Sequence, residues 1–465
     1  MAEKTTAEVL KEKLFISKKN GLTSCDDAKW QKVLDFCEGY KKFLADGKTE
    51  REAARCAIAI AEKAGFKPFD HDTVYKAGDR YYVNNRGKTV AFVVVGKQTA
   101  DKGLQITAAH IDSPRIDLKP NPLYEDTELA LFKTHYYGGI KKYQWTAMPL
   151  ALHGVFAKKD GSVVEVNIGE DEGDPCFVVT DLLPHLAGEQ SKRTLADGIK
   201  GEELNILIGS KPFRDDSASE LVKLNIMSIL NEKYGVTEED FLSAELECVP
   251  AAKPRDIGLD RSMIGAYGHD DRVCAYPALV AITEVEMPEK TAVVILADKE
   301  EVGSDGNTGL ASDFLRFVVR DLCENQGVDY TVALRNSKCL SADVNAGMDP
   351  TFKDAHEPKN AAKLNYGAVI TKYTGSRGKS GTSDASAEFV AYVRNMLDNA
   401  GILWQTGELG RVDLGGGGTV AMYIANMGVD VVDLGVPVLS MHAPFEVVSK
   451  LDVYETYRTM YEFCK

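Results

Sequence analysis

Residues 292–301 read AVVILADKEE, six apolar residues running straight into an acid, a lysine and a pair of glutamates. Six is the length of a buried strand, and without polar alternation both faces of that strand must be covered. Three further stretches have the same form: LQITAA (104–109) stops at His110-Ile111-Asp112, CLSA (339–342) at Asp343, and VPVLSM (436–441) at His442. In an open α/β sheet, ligands collect beyond the carboxyl ends of the strands. Strands running in parallel would bring these side chains to one edge from widely separated parts of the chain.

The surrounding sequence extends this pattern. Tyr330–Leu334 and Ala368–Thr371 read as further strands, separated by helical stretches such as Ala385–Asp398. Nearer the N-terminus, Val33, Phe36, Tyr40 and Phe43 recur at helical spacing, a second helix is predicted over Glu52–Ala64, and strands at Tyr81–Val83 and Thr89–Val95 flank an Asn-Asn-Arg-Gly turn. Strand-then-helix alternation predicts an α/β fold with a mostly parallel sheet covered by helices on both faces. Residues 114–250 have another texture, in which Pro and Gly punctuate short apolar segments such as Ala151–Phe156, Ser162–Ile168 and Cys176–Thr180. They read as an inserted β-rich domain, with a polar mobile loop over Ala187–Ser219. The catalytic domain is then 1–113 plus 251–465.

Composition bounds the function. The 465 residues carry 55 basic and 70 acidic side chains, a net charge of −15, which disfavours nucleic acid and anionic membrane surfaces as partners. The first 21 residues lack the apolar core of a signal peptide, and no apolar run approaches the roughly 20 residues of a membrane span. Nine dispersed cysteines without a CxxC pair suit reduced thiols, and a cytoplasmic location is expected.

Two imidazoles, His110 and His442, with Glu301, Asp343 and an acid of the Asp270-Asp271 pair form a mixed nitrogen and oxygen donor set suited to zinc. Two metals need one bridging carboxylate and two terminal ligands each, and these residues supply that number. Glu300, beside Glu301, offers a general base. Asp112, two residues after His110, can hydrogen-bond its imidazole.

Five ordered motifs, ITAAHIDSPR, GHDDRVCAY, DKEEVGSDG, SADVNAG and VPVLSMHAP, resemble those of the aspartyl-aminopeptidase-like (M18) zinc aminopeptidases over nearly the whole chain. The resemblance implies a zinc-exopeptidase-like fold with an inserted oligomerisation domain. It further implies two Zn2+ ions per subunit, with Co2+ or Mn2+ as substitutes. Asp270 would bridge them, His110 and Asp343 complete one site, and Glu301 and His442 the other; Asp271 would support from behind. Glu300 would take a proton from the attacking water and return it to the leaving amine, so that peptides with a free N-terminus lose their first residue. Members of the family assemble into tetrahedral dodecamers, in which a histidine of the inserted domain reaches a neighbour's active site. LLPHLAG (182–188) nominates His185 for that role, and Lys372 is a candidate partner for an acidic substrate side chain.

SADVNAGMDP departs from the aspartyl-specific pattern at Asn345, Ala346 and Asp349, which weakens the expectation of a strict acidic preference. Gly415–Gly418 is followed by no Lys-Ser/Thr and so is no phosphate loop; it reads as a close-approach loop. His71, His135, His153, His269 and His356 read as structural, with His269 adjoining the proposed bridge. Competing readings are a dinuclear-zinc carboxypeptidase or amidase, and a catalytically silent oligomeric scaffold.

Overall fold

The computed structural model describes residues 4–215 and 217–465. The fold is α/β, and its main sheet is mixed. In spatial order its nine strands are Lys67–Pro68, Arg80–Asn85, Thr89–Val94, Ala292–Ala297, Gln105–His110, Lys338–Ser341, Asp430–Gly435, Ala368–Thr371 and Trp404–Thr406. The four central strands, from Ala292–Ala297 to Asp430–Gly435, run parallel. Antiparallel pairing enters toward both edges, through the Arg80–Asn85/Thr89–Val94 hairpin on one side and Ala368–Thr371 on the other. The hairpin turns at Arg86 and Gly87, both at positive φ, as the turn types matched to strand twist require.

Alternate side chains of the central strands enter two different cores. Val294, Leu296 and Ala109 pack with helices Asp27–Asp46, Glu50–Lys63, His269–Glu284 and Lys450–Cys464. Val293, Ile295, Ile106 and Ala108 pack on the other face with helix Phe314–Gln326 and its neighbours. Burial on both sides explains why these strands read as unbroken apolar runs.

Residues Arg115–Pro250 build a separate seven-stranded sheet, antiparallel throughout, with its own core around Trp145, Phe156 and Leu246. The stretch read as a mobile loop contains one of these strands, Ile206–Gly209, paired with both Leu129–Tyr137 and Val178–Val179.

Two strand assignments are corrected. Tyr330–Leu334 lies in helix Tyr330–Asn336: Asp329 accepts the amides of Thr331 and Val332 at 2.7 and 3.4 Å, and a capped turn burying Ala333 and Leu334 satisfies so short a run as well as a strand would. The 436–441 run contains a strand, Pro437–Leu439, but in a five-stranded sheet with Asn345–Ala346 and Glu446–Ser449. Pro437 cannot donate to a central ladder, and the chain leaves the main sheet at Gly435, where a Cβ would meet the Asp343 carbonyl at 1.7 Å.

Candidate metal centre

The parallel register sets the edge. Ala297 lies level with His110, so the Lys299-Glu300-Glu301 turn emerges beside the histidine, and Asp343 follows from the next strand, Lys338–Ser341. Asp270 arrives at the start of helix His269–Glu284 with dihedrals outside the helical range (φ −80°, ψ 106°). His442 arrives from the small sheet at positive φ.

The six side chains converge. His110 Nε2 lies 3.1 Å from Asp270 Oδ1, 3.8 Å from Asp343 Oδ1 and 3.9 Å from Glu300 Oε2. His442 Nε2 lies 3.2 Å from Asp270 Oδ2 and 3.5 Å from Glu301 Oε2. Asp270 therefore turns one oxygen to each imidazole. Two triads that share it, His110/Asp270/Asp343 and Asp270/Glu301/His442, could each hold a cation, and a third close grouping, His110/Glu300/Glu301, brings Glu300 to the same centre. Asp271 faces elsewhere, accepting the His110 amide at 3.4 Å. Five of these six side chains, all but His110, line a cleft of about 450 Å³ whose far wall includes Leu409, Gly416–Gly418, Met422 and Tyr423.

The electrostatics fit a cation-binding site. Burial, then the Asp343 charge, pushes the Glu300 carboxyl up to about 8, and burial with the Asp270 charge holds Glu301 well above the carboxylate range. Burial opposes protonation of His442, but bonding to Asp270 and the Glu301 charge override it and raise the imidazole to about 11. His110 is likewise raised against burial by Asp112, Asp270 and Asp343. Protons thus do the neutralising that divalent ions could do. Glu301 Oε1 is buried without a hydrogen-bond partner, an arrangement costly for a carboxylate unless a ligand completes it.

Two buried carboxylates hold the backbone of these loops. Asp112 accepts the amides of Glu300 and Glu301, both at 3.1 Å, and the Tyr137 hydroxyl at 2.8 Å; its backbone carbonyl lies 3.0 Å and its Oδ1 3.3 Å from His110 Nδ1. Glu446, which sequence reasoning missed, accepts the His442 amide at 2.7 Å and the Asp270 amide at 3.1 Å. Gly139 was also missed: its carbonyl accepts from His442 Nδ1 at 2.8 Å. An acid four residues after the last histidine is the one signal that could have found Glu446.

A profile of the aminopeptidase I zinc metalloprotease (M18) family matches residues 43–464. The chain belongs to the M18 family. Among M18 relatives, a probable M18 family aminopeptidase 1 from Clostridium acetobutylicum is 51% identical over 447 residues, covering 94% of this chain and 96% of its own. The crystal structure of an M18 aminopeptidase from Thermotoga maritima superposes with a TM-score of 0.93 at 45% identity, over 97% of this chain and all of that one. The solved S. cerevisiae mApe1 dodecamer shares the M18 fold at a TM-score of 0.75 and 20% identity, over 92% of this chain and 96% of its own. As an M18 member the chain is a metalloaminopeptidase.

The remaining nominated residues stand apart from the M18 cluster. His185 is exposed in the inserted region, between exposed Leu183 and Leu186. Lys372 pairs with Asp384 at 2.5 Å and lines a different cavity, beside Trp404 and Arg394. His269 turns away from the bridge: its Nδ1 accepts from Tyr40 at 2.7 Å, its Nε2 donates to the Ile264 carbonyl at 3.1 Å, and burial lowers it to about 3. His153 lies buried between Glu52 and Glu170.

Proposed function

We propose that this metalloaminopeptidase removes the N-terminal residue of peptides through two zinc ions per chain. The observation that carries the reading is the Asp270 carboxylate divided between His110 and His442. Asp270 would bridge, His110 and Asp343 hold one ion, and Glu301 and His442 the other; cobalt or manganese would suit the same donors. Bound there, the ions supply Lewis-acid polarisation of the scissile carbonyl and acidify water. Glu300, on the cleft side, takes the proton of the attacking water and passes it to the leaving amine. Asp112 keeps the Glu300-Glu301 turn in place during that transfer. A carboxypeptidase would need a cation for the substrate carboxylate, and among the described residues the cleft lining contains no Lys or Arg. For the same reason an acidic preference would depend on His185 from a neighbouring subunit, since Lys372 is engaged by Asp384.

The reading extends to assembly. Residues 114–250 serve as the oligomerisation domain of a dodecamer, supported by the mApe1 dodecamer of the same fold and by the exposed leucines 182, 183 and 186 around His185. No helix among the described residues is long and apolar enough to cross a membrane, and the nine cysteines are all free thiols, which suits a reducing cytoplasm.

The test is a scan of free and N-blocked peptides with metal-stripped protein reloaded with zinc, cobalt or manganese. Release of the first residue from free peptides only, with two metals bound per chain, is expected. Cleavage of blocked peptides with release of C-terminal residues would overturn the assignment.

A further inference from the structure

We infer that Tyr137, delivered to the centre by the inserted sheet, is a positioning residue for the Glu300-Glu301 turn, acting through Asp112. Tyr137 ends strand Leu129–Tyr137, directly opposite Arg115 on the neighbouring strand. The Arg115 guanidinium lies over the Tyr137 ring, 3.9 Å from its centroid, and is itself held by Asp117 at 2.8 Å and Glu247 at 3.2 Å. The ring is therefore fixed, and its hydroxyl donates to Asp112 Oδ2 at 2.8 Å. The same oxygen accepts the Glu301 amide, while Oδ1 accepts the Glu300 amide and faces His110 Nδ1.

Asp112 is fully buried, so its orientation is decided by its donors alone. The two amides belong to the turn that Asp112 is positioning and cannot also anchor it. Of the donors around it, Tyr137 is the one that comes from the other sheet. Two residues on, the Gly139 carbonyl fixes His442 Nδ1, so one short segment of the inserted sheet touches both halves of the centre. Supporting partners of this kind alter metal affinity or turnover by about 10–100-fold when removed.

The inference rests on the dinuclear reading, and its test separates the two. Zinc affinity of metal-free protein is measured by competition with a chromophoric chelator, alongside kcat and KM on a peptide. Tyr137→Phe should weaken zinc binding about 10–100-fold and lower kcat with KM little changed. Tyr82→Phe, which removes a hydroxyl bonded to Glu62, should change neither. In the Asp112→Asn background, Tyr137→Phe should add nothing further, as residues acting through one contact are not additive. Wild-type zinc affinity and kcat in Tyr137→Phe would overturn the inference, as would full additivity with Asp112→Asn. If wild-type protein bound zinc without cleaving peptides, the proposed activity would fail while the affinity measurements still decided the role of Tyr137.

Discussion

Asp270 Oδ1 lies 3.1 Å from His110 Nε2, and Asp270 Oδ2 lies 3.2 Å from His442 Nε2. A carboxylate has two oxygens on one planar group, so it can serve two cations at once without moving either. The adjacent Asp271 reaches neither imidazole ring. On the proposed dinuclear reading, Asp270→Asn should therefore lower bound metal below two ions per chain and reduce kcat/KM by about 100-fold or more, whereas Asp271→Asn should retain the wild-type metal content. Metal content by mass spectrometry, with turnover on the same samples, distinguishes the variants.

Glu300 stands 3.9 Å from His110, within the cluster and outside the two triads that share Asp270. Glu300→Gln keeps the shape and removes the proton acceptor. Metal content should be unchanged while kcat falls by about 10²–10⁴-fold, the usual contribution of a general base. Full turnover in this variant would remove Glu300 from its role.

Metal binding should depend on pH with a defined sign. In the metal-free protein Glu300 is raised to about 8 and His442 to about 11, so both carry protons at neutral pH. A cation must displace the His442 proton, so its affinity should fall as the pH is lowered from about 11, and more steeply below about 8 where Glu300 is also protonated. Calorimetry in buffers of different ionisation enthalpy should register proton release on loading. Heats independent of the buffer would contradict this account.

Gly435 has no side chain for a reason specific to the site: a Cβ there would meet the Asp343 carbonyl oxygen at 1.7 Å. Gly435→Ala must displace the Asp343 backbone from its present position, at a cost of about 1–3 kcal/mol in stability. The ion proposed for His110 and Asp343 should be lost preferentially. Metal titration should then reach one ion per chain, with the melting temperature lowered.

If His185 completes a neighbour's cleft, two impaired proteins should complement one another at substrate concentrations below KM. His185→Ala should raise KM in a homogeneous assembly. When His185→Ala and Glu300→Gln subunits are dissociated and reassembled together, some sites combine an intact Glu300 with an intact partner His185, and turnover should exceed that of either protein alone. Absence of any gain in verified mixed assemblies would place His185 outside the site.

The candidate ligands were legible in the chain because metal chemistry restricts such residues to a few types and the α/β fold gathers them at strand ends. His110, Glu301 and Asp343 each follow a run whose apolar character comes from burial on both faces, a property local to the run. His442 was found for a partly mistaken reason: the run before it belongs to another sheet, and Pro437 was the local signal of that departure. Glu446, Tyr137 and Gly139 were not legible, because carrying an amide, a hydroxyl or a carbonyl to a given point is within reach of many residues, and their sequence surroundings are ordinary.

What the sequence by itself determined was the chemistry: an α/β chain with two histidines and a set of acids able to bind divalent ions, in an order matching a known family. Tertiary structure decided which oxygen faces which nitrogen. It turned Asp270 to both imidazoles and Asp271 away, drew Lys372 to Asp384 and out of the cleft, and brought the end of an antiparallel sheet against both halves of the centre. Donor type is a property of one residue, whereas direction and distance depend on the packing of strands and loops that lie far apart in the chain.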